Sequence, residues 1–273
     1  MADYTGYLRT VLSRRGGRTG IEDCYFQGAY KITRSVYLDS SGQPCLYVMN
    51  PGGGYVAGDV YRQELVLKPG AEAIVTTQSS TKIYKSGQLP AVQETEVSLG
   101  AGSLLEYMPD PAIAYQNARF RQQTIVRIEA GATLFYADVF TPGWAPDGTY
   151  FRYDWISSRL EAYQAGQLIV FDHLRLAPDE DFSGLGGMEG YTHLGAVLVL
   201  GERADAAFLE EVCHLLEDCG EKVRAGVSLL PACGFSVRLL GHSTQEVTEA
   251  IGLIHRHVRR AWFGRDPVFL RKY

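Results

Sequence analysis

The sequence predicts a mostly β fold: layered or helically wound antiparallel β-hairpin repeats, with two α-helices in the C-terminal region. A Gly-bearing turn recurs through the first two-thirds of the chain. The segments between those turns alternate apolar and polar residues, and helical spacing of apolar residues begins only after Asp205. Alternation with a period of two marks half-buried strands, whereas recurrence at three and four residues marks a helix.

The turn is clearest in Leu67-Lys68-Pro69-Gly70-Ala71, Leu99-Gly100-Ala101-Gly102-Ser103 and Ile128-Glu129-Ala130-Gly131-Ala132. In each, an apolar residue closes one run, a glycine turns the chain and a second apolar run begins. Weaker copies surround Gly42 and Gly166, so the five glycines stand 28, 32, 29 and 35 residues apart. Self-similarity on this scale signals stacked supersecondary units. The spacing is too irregular for a strict solenoid, and a large β-sandwich is the competing picture.

The segment Asn50-Pro51-Gly52-Gly53-Gly54-Tyr55-Val56-Ala57-Gly58-Asp59 has the composition of a phosphate-cradling loop. Such a loop opens a helix whose N-terminal amides bind the anion. Here it leads into Val60-Tyr61-Arg62-Gln63-Glu64-Leu65-Val66-Leu67 and the turn Lys68-Pro69-Gly70, which is strand chemistry. The glycines are therefore read as a backbone-packing turn that feeds a strand. Further on, Phe120, Val126 and Ile128 share one face of a strand and Arg119, Arg121 and Arg127 the other. A solvated sheet face is the ordinary meaning of that basic row, and an acidic partner the alternative.

Within residues 205–219, Phe208, Val212, Leu215, Leu216 and Cys219 recur at helical spacing, and Gly220 terminates the run. Residues 226–240 read as strand–turn–strand around Pro231. Ser243-Thr244-Gln245-Glu246 fits a capping box, in which Ser243 and Glu246 each satisfy an orphan amide. The stripe Val247, Ala250, Ile251, Ile254, Val258 and Ala261 follows. The expected organisation is a single domain over 1–273, with a β-rich body to residue 200 and a helix-containing part, 201–273, packed on it.

A net charge of −5 argues against a dedicated nucleic-acid binder. No apolar run approaches the roughly 18 to 20 residues that span a bilayer, and the first residues show no secretory signal. Cys24, Cys45, Cys213, Cys219 and Cys233 are odd in number and lack CxxC spacing, which reads as reduced thiols in a cytoplasmic protein. There is no GxSxG elbow, HExxH motif or Walker A loop, and nothing calls for an enzyme. His255 and His257 lie two apart on a helix, about 200° around its axis, and cannot readily share an ion. Asp59, Glu64, Asp138 and Asp172 fall on strands or at their ends, where turn formation or solvent exposure is the usual role. Facing one interior channel, they would offer oxygen ligands to a divalent cation. Over 256–273, Arg256, Arg259, Arg260, Arg265, Arg271 and Lys272 interleave with Trp262, Phe263, Phe269 and Tyr273. Either a protein-docking end or a solvated helix end has this composition.

Several of these segments, in this order, resemble the urease accessory protein UreD (UreH) family over nearly the whole chain. The strongest are 50–59, Thr76-Thr77-Gln78-Ser79-Ser80-Thr81-Lys82-Ile83-Tyr84, Tyr107-Met108-Pro109-Asp110-Pro111, Ala118-Arg119-Phe120 and Asp172-His173-Leu174-Arg175-Leu176. Ala57 before Gly58-Asp59 departs from the more usual Gly-Gly-Asp ending. The resemblance implies a cytoplasmic, non-enzymatic chaperone that binds UreF and, with it, recruits the GTPase UreG. The assembly, a hetero-oligomer dimerised through UreF, would dock on apo-urease and assist nickel delivery, with the metallochaperone UreE reached through the complex. No cofactor is implied as tightly bound; nickel is in transit. Asp59, Asp138 and Asp172, with Thr81 as polar lining, match the family's proposed nickel path. Trp262, Phe263, Arg259 and Arg260 are the candidate partner-binding residues, while Val247 and Ile251 read as core.

Two other functions compete. One is a nucleotide-dependent enzyme using the loop 52–59. The other is a carbohydrate-binding β-sandwich, for which Trp144, Tyr150 and Trp155 would supply stacking faces.

Overall fold

The computed structural model describes residues 4–178, 184 and 186–270. The chain begins with the hairpin β1 (Gly6–Arg15) and β2 (Arg18–Gly28), followed by the short β3 (Lys31–Ile32) and β4 (Val36–Tyr37). It then runs through β5 (Pro44–Met49), β6 (Val60–Leu67), β7 (Glu72–Thr77), β8 (Thr81–Ile83), β9 (Ala91–Leu99) and β10 (Leu104–Met108). Next come β11 (Ala112–Ala114), β12 (Arg119–Ile128), β13 (Thr133–Phe140), β14 (Trp155–Gln164), β15 (Gln167–Leu176) and β16 (His193–Leu200). The last elements are α1 (Ala206–Glu217), β17 (Val223–Leu229), β18 (Gly234–Gly241) and α2 (Thr244–Phe263). The mostly β class with two late helices is as the sequence predicts.

Among the described residues the strands form two sheets. The first has the order β15-β14-β12-β9-β6-β1-β2, and the main path of the second is β17-β18-β16-β13-β10-β7-β5-β3. From β5 to β14 the chain winds between them. The strands β6, β9, β12 and β14 pair in parallel in the first sheet. In the second, β5, β7, β10 and β13 do the same. Of the two pictures left open, helical winding is the one observed, but the pairing sense in the coil corrects the hairpin expectation. The turns at Gly70, Gly102 and Gly131 carry the chain across to the other sheet, so a strand's neighbour lies one circuit away and runs parallel, whereas the weaker copies at Gly42 and Gly166 join the antiparallel pairs β4–β5 and β14–β15. Antiparallel pairing is kept for the margins, where β2 lies on β1, β15 on β14, and β16, β18 and β17 extend from β13.

Stacking explains why the turn recurs. The amide of Gly100 donates to the Leu67 carbonyl at 2.9 Å, and that of Glu129 to Leu99 at 2.9 Å. Gly70, Gly102 and Gly131 have φ of 69°, 64° and 71°, the left-handed region where a Cβ is costly. The turn is thus one structural solution repeated down one end of the coil.

Two apolar cores result. Leu65, Val97, Leu105, Phe120, Val126 and Leu134 fill the space between the sheets. On the other face of the second sheet, Phe135, Val139, Val199, Phe235, Val247, Ile254 and Trp262 form a core beneath α1 and α2. Every residue of β13 is buried because both of its faces are covered. The outer face of the first sheet is solvated and ionic: Arg62 meets Glu64, Glu94 and Glu96 at 2.9–3.1 Å, and Arg127 reaches Glu96 at 3.7 Å.

Capping sets both helices. Asp205 accepts from the Phe208 amide at 2.8 Å, and Ser243 and Glu246 form the reciprocal capping box of α2. The apolar stripe of α2 ends on Trp262; Ala261, one residue earlier, is exposed. A buried ionic cluster fastens the helix. Arg259 Nη1 donates to both oxygens of Glu106 at 2.6 and 2.9 Å, and Arg259 Nη2 to Asp39 at 3.0 Å. His255 Nε2 lies 2.6 Å from Glu106. Burial alone would push the Glu106 carboxyl up. The charges of His255 and Arg259, with hydrogen bonds from His255 and Gln43, outweigh it and hold the carboxyl below its ordinary range.

Candidate functional site

Opposite the Gly turns, the coil's longer connections also stack. The Tyr55 amide donates to Lys82 O at 2.8 Å and the Tyr84 amide to Tyr55 O at 2.8 Å, laying the glycine segment along β8. The amide of Tyr115 donates to Ile83 O at 2.8 Å, so the next connection lies on the same ledge. Gly54 fits there because it lacks a side chain: its φ is +151°, and a Cβ would stand 2.6 Å from the Lys82 carbonyl oxygen. The glycine segment therefore packs backbone against backbone and leads into β6, away from any helix N-terminus.

Between these stacked connections and the sheets lies a cavity of about 150 Å³. Asn50, Gly53, Gly54 and residues 77–82 line its outer part, and polar side chains line its depth. From the first sheet come Gln63, Gln93 and Gln122; Tyr107 and Asp138 come from the second. Gln93, Gln122 and Ser158 are register partners on neighbouring parallel strands, so one row of polar residues crosses the sheet. Gln63 Nε2 donates to the Tyr30 hydroxyl at 3.0 Å, Tyr30 and Tyr55 hydroxyls lie 2.8 Å apart, and Tyr55 donates to Gln93 Oε1 at 2.9 Å. Gln63 Oε1 is buried with no hydrogen-bond partner. Such an acceptor is costly unless something donates to it or coordinates it.

Asp138 closes the inner end. It is 8% exposed and accepts from Gln122 Nε2 at 2.6 Å and from the Tyr136 hydroxyl at 2.6 Å. Burial pushes its carboxyl up to about 6, against the lowering effect of those two donors; Asp172 raises it further and Arg238 lowers it. On the far side of Asp138 lies a second cavity of about 110 Å³, and Asp138 belongs to both linings. Its floor is a row across the second sheet, Asp138 on β13, Ala196 on β16 and Arg238 on β18, all in register. The methyl of Ala196 leaves room between the two charged residues. Asp172 faces this row from β15 of the first sheet and forms an ion pair with Arg238.

Three of the four residues read as path positions thus fall on this pair of cavities: Thr81 on the first, Asp172 on the second and Asp138 on both. Asp59 lines neither. Its carboxylate accepts from Thr5 Oγ1 at 3.1 Å, the Val56 amide at 2.8 Å and the Tyr61 hydroxyl at 3.3 Å, which fixes the shape of the glycine segment. Gln63, Gln93, Gln122 and the tyrosines Tyr30, Tyr55 and Tyr107 are the lining that sequence reasoning missed. A signal was present, because Gln63 and Gln122 occupy inward positions of alternating strands, where apolar residues belong. Among the described residues, neither cavity is lined by histidine or cysteine. Carboxylate, amide and hydroxyl oxygens form weak, exchangeable contacts with a borderline cation such as nickel.

The residues read as partner-binding are separated by burial, and two of them need correction. Arg259 is 1% exposed and bound to Glu106, while Trp262 is 4% exposed and packs on Gly201, where a Cβ would come within 2.7 Å of the indole. Both fasten α2 to its own protein. Phe263 is half-buried and Arg260 exposed, so these two are open to a partner. Arg265 pairs with Glu72 at 2.7 Å, folding that part of the basic tail onto the body; Arg271, Lys272 and Tyr273 lie outside the described residues. Of the aromatics considered for glycan stacking, Trp144 and Tyr150 are exposed and Trp155 half-buried, with Trp144 against Tyr115 at 4.9 Å. His255 turns to Glu106 and His257 to Glu211, so the histidine pair shares no ligand site.

Residues 4–272 match the family described as UreD urease accessory protein. A urease accessory protein UreD from Bacillus sp. (strain TB-90) is 46% identical over 269 residues, covering 98% of this chain and 99% of its own. One from Lachnoclostridium phytofermentans is 43% identical over 274 residues, covering 100% of both chains. A third, from Actinomyces naeslundii, is 43% identical over 270 residues, covering 98% of this chain and 99% of its own.

Proposed function

Because the chain belongs to the UreD urease accessory protein family, we propose that it acts in urease maturation as a non-enzymatic scaffold for nickel insertion. In this reading it joins UreF and the GTPase UreG in a cytoplasmic complex dimerised through UreF. The complex docks on apo-urease, and UreE supplies nickel to it. Nucleotide chemistry belongs to the GTPase, since the glycine segment of this chain feeds a strand.

One observation carries the transit part of the reading: a single buried carboxylate, Asp138, is shared by two cavities that approach it from opposite sides. An ion entering beside Thr81 would meet amide and hydroxyl oxygens, then Asp138, then Asp172. Oxygen ligands of this kind hold nickel weakly enough to release it, whereas histidine and thiolate would retain it. Asp59 serves by holding the glycine segment that forms part of the first cavity's rim. Phe263 and Arg260 are the accessible members of the partner-binding set. No helix among the described residues is long and apolar enough to cross a membrane.

The test is a pull-down of the tagged chain from urease-producing cells with metal analysis of the complex, paired with deletion of its gene. The reading expects UreF and UreG in the eluate and nickel-poor urease in the deletion strain at limiting nickel. Fully nickel-loaded urease without the chain would overturn it.

A further inference from the structure

The outer end of the second cavity carries a resident cation. Arg238 and Asp172 come from different sheets that share no hydrogen-bond ladder at this point, and their ion pair crosses the gap between them. Their side chains are 41% and 37% exposed, whereas Asp138, at the other end of the same cavity, is 8% exposed. The pair therefore marks the solvent end and Asp138 the protein end. Ala196 alone separates Asp138 from Arg238 along the sheet. Both Asp172 and Arg238 act electrostatically on Asp138, so the three charges form one local field.

We infer that Arg238 is a tethered counter-cation that keeps the Asp138–Asp172 end of the cavity from retaining a divalent ion. This inference rests on the transit reading above and names the residue that sets its retention. Without Arg238, a divalent ion at Asp172 would face two carboxylates and no neighbouring positive charge, so the same oxygen ligands would hold it more tightly and release it more slowly. With Arg238 in place, an ion reaching Asp172 must displace the guanidinium and then sits beside a positive charge. At the short separations of a cavity, that repulsion opposes binding. The guanidinium re-forms its pair when the ion leaves, so release is helped and the vacated carboxylate is never left alone. A partly exposed pair of this kind adds little to folding, so its placement at a cavity mouth matters more than its stabilising effect.

Arg238→Gln in the full-length chain tests the inference, with nickel(II) alone titrated calorimetrically at fixed pH and salt. The variant should bind nickel at least tenfold more tightly than wild type. Arg238→Gln with Asp172→Asn should return the affinity to the wild-type value, and Arg238→Lys, which keeps the charge, should stay within about threefold of it. Unchanged affinity in Arg238→Gln overturns the inference, as does tightening that survives Asp172→Asn. Asp138→Ala tests the underlying reading separately, through the nickel content of urease matured in its presence. Wild-type loading there fails the transit reading. Lost loading there, with unchanged affinity in Arg238→Gln, fails the counter-cation alone.

Discussion

Asp138→Asn should stabilise the protein at neutral pH, although it removes the residue on which the two cavities converge. The Asp138 carboxyl rises from an ordinary 3.8 to about 6 in the folded chain, chiefly through burial. At 1.36 kcal/mol per pH unit, that rise corresponds to about 3 kcal/mol of folding free energy set against the ionised form. Between pH 4 and 6 the folded state holds a proton that the unfolded state has released. Wild-type stability therefore falls as pH rises through that interval, and the full cost is present above the folded pKa. Asparagine preserves the acceptor for Gln122 and Tyr136 and carries no charge. Urea denaturation at a series of pH values should show the two proteins nearly equal near pH 4, diverging to about 3 kcal/mol in favour of the variant near pH 7.5. Equal stability at pH 7.5 would refute the reasoning, because Asp138 would then carry no burial cost. A charge kept at such a cost needs a role beyond folding.

Arg259→Met should destabilise the fold by about 3 to 5 kcal/mol, because it leaves Glu106 charged and buried beneath α2; urea midpoints measure this. The lowered Glu106 carboxyl contributes stability above its unfolded pKa, so wild-type stability should fall as pH drops through the lower folded value. Glu106→Gln should weaken that acid sensitivity. Gly54→Ala should cost about 1 to 3 kcal/mol, from the strained φ and from contact with Lys82, and should lower the thermal midpoint.

The sequence made the β body, the helices and their caps legible because each rests on local chemistry. Ser243 and Glu246 read as a capping box at any distance from the rest of the fold, and Phe120, Val126 and Ile128 reveal a face through alternation alone. Pairing sense was not legible. A Gly turn that reverses the chain into a hairpin and one that crosses it to an opposite sheet use the same residues, and only the stacking of Gly100 on Leu67 distinguishes them. Burial of charge was equally hidden. Arg259 and Arg260 are adjacent in a basic run, yet one is locked to Glu106, 153 residues away, and the other is exposed. Within the candidate site, Asp138 stands out in the sequence because it breaks the apolar run of β13. Nothing local shows that the Asp59 carboxylate is held by Thr5, Val56 and Tyr61 and faces neither cavity. Arg238 carried no signal, since its meaning depends on Asp172 across the gap between sheets.

The most direct test of the central claim, that nickel passes between the cavities at Asp138, is to fill the space beside that residue. Ala196→Leu places bulk between Asp138 and Arg238 without altering a charge or an exposed partner surface. The quantity to measure is nickel per urease active site in cells carrying this variant at limiting nickel, with co-purification of the accessory complex as the control. An intact complex with urease left at less than about a tenth of wild-type nickel is the predicted result, a loss of tenfold or more as expected for a blocked route. An intact complex with fully loaded urease would contradict the account.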